Sequence, residues 1–281
     1  MPRQFGYLLP CLQQSGISNG HVQEHMLSEE LARIRLRGGY AILAGILLLL
    51  GVPLFQSLIL VPKGYVTAVN AVVAHQNFGP LLSWAAAHPA ESRLYRVVEV
   101  VPFLLALGLP GPLRAILWAE ERRGGQVTTW LGRIGFALFA LALFIGMFTS
   151  AASATSYVQA QSESVRQAIA LDYAGHYALE TLLSRVLGGA CLTVFLILAS
   201  LRMVRMRRFP LWFGVAGVLC AALQATTAVF FAFGPTQATT PTAGLAFIAL
   251  ALWLLIAGVF LIRLRALPTV AAPASTFTQS S

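Results

Sequence analysis

Six stretches of this chain are each long and apolar enough to cross a bilayer: roughly 39–61, 96–118, 131–152, 181–201, 210–233 and 243–262. A spanning helix needs about 20 mostly apolar residues. A segment in hydrocarbon must also satisfy its own backbone hydrogen bonds, which leaves only helices and closed barrels. Barrel strands alternate in polarity over about ten residues. These runs are continuous, so the expected fold class is all-α, a polytopic membrane protein with six transmembrane helices. Composition agrees: the 281 residues are 57% hydrophobic and 10% charged, whereas a soluble domain is nearer a quarter charged.

Positive charge sets the expected orientation. When Lys and Arg are assigned to alternate sides of the six runs, 14 fall on one side. Only Lys63, Arg93, Arg96, Arg166 and Arg185 fall on the other. Basic loops stay in the cytoplasm, so both termini are expected there. The net charge of +9 then lies beside the spans, close to anionic lipid head groups. It calls for no nucleic-acid partner.

Three regions are expected. Residues 1–26 read as a poorly ordered N-terminal extension, 27–265 as the six-helix transmembrane domain, and 266–281 as a disordered tail without periodicity. From residue 27 the pattern predicts a short surface helix, capped by Ser28 and ended by Gly38-Gly39. Segments 62–92 and 153–180 are too long for ordinary bundle connections, which run about 2–8 residues. They are expected to form short interfacial helices on the outer face, with Trp84 as an interfacial anchor.

Charged residues collect at the outer entrances of two spans. In RLYRVVEVV (93–101), Arg96 and Glu99 share a helix face and can pair. In HYALETLLSR (176–185), His176 and Glu180 are four apart, and Arg185 lies a turn inside the apolar run. In an ideal α-helix Arg185 is about 140° round from Glu180, so the two form no simple intrahelical pair. Glu99 and Glu180 therefore need partners, and Arg93, Arg96 or Arg185 can supply them across helices. Gln56, Thr149, Ser150, Gln224, Thr226 and Thr227 add a polar layer in the outer halves of other spans. Ionisable groups within a membrane are functional candidates by default. The candidate binding residues are Arg93, Arg96, Glu99, His176, Glu180, Arg185 and Gln224. Polar side chains also glue helices together, so a structural polar layer stands beside the ligand-site reading.

No metal or cofactor is expected. His176-x-x-x-Glu180 is one ligand pair, and a zinc site needs three or four protein ligands. No histidine lies within a span to hold haem. Cys11, Cys191 and Cys220 form no disulfide framework or CxxC motif. HExxH, GxSxG and Walker signatures are missing. Pro102 and Pro110-Gly111-Pro112 are expected to kink the second span.

The stretches RIRLRGGYAILAGILLLL, RLYRVVEVVPFLLALG and RRFPLWFGVAGVL resemble segments of a large family of bacterial six-helix membrane proteins classed as a domain of unknown function. The resemblance covers about residues 27–265. It implies a bacterial six-helix membrane protein and supplies no activity, cofactor or site residue. The expected location is a bacterial cytoplasmic membrane. The first functional expectation is a non-enzymatic binding, accessory or regulatory component with an outward-facing polar pocket. A transporter of a small or amphiphilic solute is one alternative. Another is an outer-leaflet lipid-modifying enzyme using Glu99 or Glu180 as acid–base group. The expected partners are the lipid bilayer, a lipid or small-molecule ligand, and a membrane-protein partner or second copy of the chain.

Overall fold

The computed structural model describes residues 19–119, 121–206, 209–233 and 236–264. The expected C-terminal tail and most of the N-terminal extension lie outside them. The described residues contain helices and no strand. In chain order the α-helices are α1 (Asn19–Ile46), α2 (Val52–Phe55), α3 (Tyr65–His75), α4 (Gly79–Ala87), α5 (Pro89–Ala106) and α6 (Pro110–Leu117). They continue with α7 (Arg122–Gln159), α8 (Glu163–Thr181), α9 (Gly189–Arg205), α10 (Leu211–Phe233) and α11 (Thr236–Arg263). Wider π-helical turns join some of them into longer rods: Leu47–Gly51 and Gln56–Leu60 flank α2, and Leu182–Gly188 joins α8 to α9.

Six of the resulting helices are long and apolar enough to cross a membrane: Ser28–Lys63, Pro89–Leu117, Arg123–Gln159, Glu163–Arg205, Leu211–Phe233 and Pro241–Arg263. They pack as a closed ring. α1 lies between α11 and α5, α7 between α5 and α9, and α10 between α9 and α11. Sequential rods are neighbours, as short connections require.

Three sequence expectations need correction. Gly38-Gly39 does not end a surface helix, because α1 runs through both. Glycine here serves close packing. A Cβ on Gly38 would lie 2.9 Å from the Gly258 carbonyl oxygen, and one on Gly45 would lie 2.7 Å from the Ala251 carbonyl oxygen. The two backbones touch along a strip of small residues, including buried Ala41 and Ala44, as tightly associated apolar helices do. Segment 153–180 is not a set of short helices. It is the tip of two long rods, α7 and α8, that turn sharply between Gln159 and Glu163. Ser162 caps α8 by accepting from the Val165 N–H at 3.4 Å. Trp84 is 8% exposed and donates its Nε1–H to the Lys63 carbonyl at 2.9 Å. It holds α4 down and is no interfacial anchor.

The second rod breaks where its proline cluster suggests. α5 ends at Ala106, a turn covers Leu107–Leu109, and Pro110 opens α6. Pro102 stays inside α5. Two apolar clusters result. The larger fills the ring. The smaller, built on Leu60, Phe78, Leu82, Trp84 and Tyr173, seats α3 and α4 across one end. We call this the cap end. The other, basic end carries Arg114, Arg202, Arg205 and Arg263.

The long rods overshoot a bilayer. The Arg123–Gln159 helix has 37 residues and the Glu163–Arg205 helix 43. At 1.5 Å per residue these span about 55 and 64 Å, against a hydrocarbon core of about 30 Å. The surplus at the cap end forms, with α3 and α4, a helical cap above the ring.

Candidate functional site

Arg96 is the hub of a buried charge cluster where the cap meets the ring. It projects from α5, one turn before Val100 and Phe103 enter the core. Its Nη1 donates to Glu180 Oε1 at 2.8 Å and its Nη2 to Glu180 Oε2 at 3.4 Å. This forked pairing exploits the planar guanidinium. Nη1 also reaches Glu99 Oε2 at 3.3 Å, one turn along the same helix. Gly146 on α7 gives the Glu180 head its space, since a Cβ there would overlap the carboxylate.

Arg185 sits beside this cluster on a different footing. Its guanidinium carbon lies 4.1 Å from the centre of the Phe247 ring, 5.8 Å from Phe231 and 5.9 Å from Phe139. No carboxylate lies within 4.0 Å of it among the described residues. The π-helical turn Leu182–Gly188 explains its direction. Bonds from i to i+5 slow the rotation per residue, and such turns recur at functional sites. Arg185 therefore swings inward toward α7, α10 and α11. Ser184 donates to the Glu180 carbonyl at 2.7 Å within this stretch.

Below Arg185 the ring is plugged. Phe103 and Phe139 stack with centroids 4.8 Å apart, and Phe247 lies about 6 Å from each. Phe136, Phe195, Phe213 and Trp253 continue the plug toward the basic end. Above lie tyrosines. Tyr65 packs against Trp84 at 4.8 Å and Tyr95 at 5.8 Å. Phe78 packs against Tyr173 and Tyr177. Burial and the neighbouring Glu99 push the Tyr65 hydroxyl above its usual range. These residues, called the cup below, set a charge cluster between an aromatic floor and a tyrosine-lined roof.

The seven candidate residues divide. Arg96, Glu99 and Glu180 meet directly, and Arg185 adjoins them on the floor. Arg93 is exposed and lines a separate cavity of about 260 Å³ with Ser92, Ala151, Thr155 and Gln159. His176 turns to Asp172, with Nε2 and Oδ2 3.5 Å apart, and does not share a partner with Glu180. No group of three or more metal-ligating side chains occurs among the described residues. Gln224 is buried and ties two helices together by donating to the Ala246 carbonyl at 3.2 Å. Thr149, Ser150 and Thr226 spend their hydroxyls on their own helices, while Thr227 also reaches the Thr242 carbonyl. Most of the expected polar layer is thus backbone-satisfied, and the charge cluster is set apart from it.

Sequence reasoning missed the aromatic parts of the cup. Tyr173 and Tyr177 stand four apart on the α8 face that carries Glu180, and that spacing was the available signal. Phe139 and Phe247 gave none, because phenylalanine in an apolar run reads as ordinary packing.

A latch holds the roof: Lys63 Nζ pairs with Glu91, joining the end of the first rod to the start of α5. Both side chains keep substantial exposure, 37% and 25%. Lys63→Ala should therefore shift thermal unfolding only slightly. No family model, curated protein or solved structure matches this chain.

Proposed function

We propose that this chain is a non-enzymatic binding component of a bacterial cytoplasmic membrane, with both termini cytoplasmic and the cup opening outward. The arginine distribution supports the orientation, since the described arginines of the basic end lie beside the spans. The observation that carries the reading is the dead-end geometry. Arg96 and Glu99 keep 17% and 20% side-chain exposure where the cap meets the ring, and Phe103, Phe139 and Phe247 fill the ring below them. Recesses between bundle helices with a few converging polar groups are typical ligand sites.

The same geometry argues against the two alternatives. Transport needs a path to the other side, and alternating-access proteins build it from broken helices near the midplane. Here the plug fills that depth. A general base needs a free carboxylate near its substrate; both Glu180 oxygens are engaged by Arg96, and Glu99 Oε2 accepts from the same guanidinium.

Two measurements test this reading. A cysteine placed at exposed Asp172 (side chain 73% exposed) should react with a membrane-impermeant maleimide in intact cells. Protein released into mild detergent should retain a non-covalent small molecule in native mass spectrometry. Labelling of that cysteine only after cell lysis would reverse the orientation. A wild-type protein carrying nothing but detergent would remove the binding role.

A further inference from the structure

Building on the binding reading, we propose that Arg185 is the ligand-contacting residue and that the cup takes an oxyanion, carboxylate or phosphate, attached to an apolar body. A guanidinium carries five N–H donors and no acceptor. Arg185 makes no hydrogen bond or ion pair among the described residues. The two neighbouring carboxylates face Arg96 rather than Arg185: both Glu180 oxygens and Glu99 Oε2 accept from it. Cation–π contact with Phe247 satisfies none of the Arg185 donors. These donors, set among phenylalanines with no protein acceptor in reach, are open to the oxygens of a ligand. Among oxyanions the planar fork matches carboxylate and phosphate.

Depth and surroundings specify the rest of the ligand. Arg205, at the basic end of the same rod, lies 20 positions further on, which is about 30 Å along a helix. That equals one hydrocarbon thickness. With Arg205 at the inner head groups, Arg185 stands level with the outer ones, but inside the ring. An anionic head group lies at this depth, and the aromatic floor below accepts the chain attached to it. A soluble amphiphilic anion entering from outside offers the same chemistry.

The test uses the full-length protein in a neutral detergent. The probes are phosphatidylglycerol, myristate, acetate and inorganic phosphate, with phosphatidylcholine as the control. Binding is read by native mass spectrometry and by the shift in unfolding temperature. Phosphatidylglycerol or myristate should bind at least about tenfold more tightly than phosphatidylcholine, a difference worth about 1.4 kcal/mol. Arg185→Gln should abolish that preference, Arg185→Lys should keep part of it, and Arg93→Gln should leave it intact. A preference for phosphatidylglycerol places the source in the leaflet. A preference for myristate alone, or binding of acetate or phosphate, places it in solution. Equal binding of all probes, no binding of any, or a preference surviving Arg185→Gln overturns the proposal. Binding that does not discriminate by charge would do so while leaving the binding role standing. A wild-type protein that retains no native molecule would defeat the binding role itself.

Discussion

Glu180→Gln should lower the stability of the detergent-purified protein by about 3–5 kcal/mol, the usual result of removing one member of a buried ion pair. The substitution keeps the shape of the side chain and removes its charge. Arg96 would then keep one carboxylate, Glu99 at 3.3 Å, and a neutral acceptor at position 180. Glu99→Gln should cost less, because that carboxylate is more exposed and accepts from one Arg96 nitrogen. Replacing both partners by apolar residues, Arg96→Met with Glu180→Leu, should cost less than Glu180→Gln, since only the more exposed Glu99 then loses its partner. Denaturant unfolding of the four proteins measures all of this. Unchanged stability in Glu180→Gln would mean that the carboxylate is kept at the expense of the fold, as ligand-binding residues often are.

The second large effect is expected far from the charges. Gly258→Val should destabilise the protein by about 1–3 kcal/mol by overpacking, and should loosen α1 from α11 specifically. A Cβ at this position would lie 2.5 Å from the Gly38 carbonyl oxygen and 2.6 Å from Ile42 Cγ1. Both neighbours belong to a helix, so backbone must move to make room. Hydrogen exchange of α1 and α11 should rise while that of α7 and α9 changes little. Gly39→Ala is the control, because nothing lies within 4 Å of its Cβ position.

The six long helices were legible in the sequence because length and polarity alone decide which segments can cross hydrocarbon. The Arg96–Glu99 pair was legible for a similar reason: it is local, set by helix spacing. The Arg96–Glu180 bond was visible only as a need for partners, since which arginine meets Glu180 depends on how the rods pack. Arg185 was read in α-helical register and placed on another face from Glu180. The π-helical turn at Leu182–Gly188 changed its direction, and π-turns leave no clear sequence signature. Gly38-Gly39 was read through the rules for soluble helices, where glycine often ends an element. Between apolar helices glycine more often marks close contact, and that context won. The tips of α7 and α8 were read as interfacial pieces because their polarity rises beyond the apolar runs. The chain simply carries the helices onward past the bilayer thickness.

Binding from outside requires a cup open to that side and closed beneath by phenylalanine. The most direct test is cysteine accessibility, with the three natural cysteines replaced by alanine. Phe231→Cys puts a thiol on the wall beside Arg185, and Phe195→Cys puts one below the floor, where the native ring is 1% exposed. A charged, membrane-impermeant thiol reagent should modify Cys at 231 from the outer side only and leave Cys at 195 untouched from either side. Reaction at 231 from the cytoplasmic side, or reaction at 195, would show a continuous path through the ring and rule out a cup closed by phenylalanine.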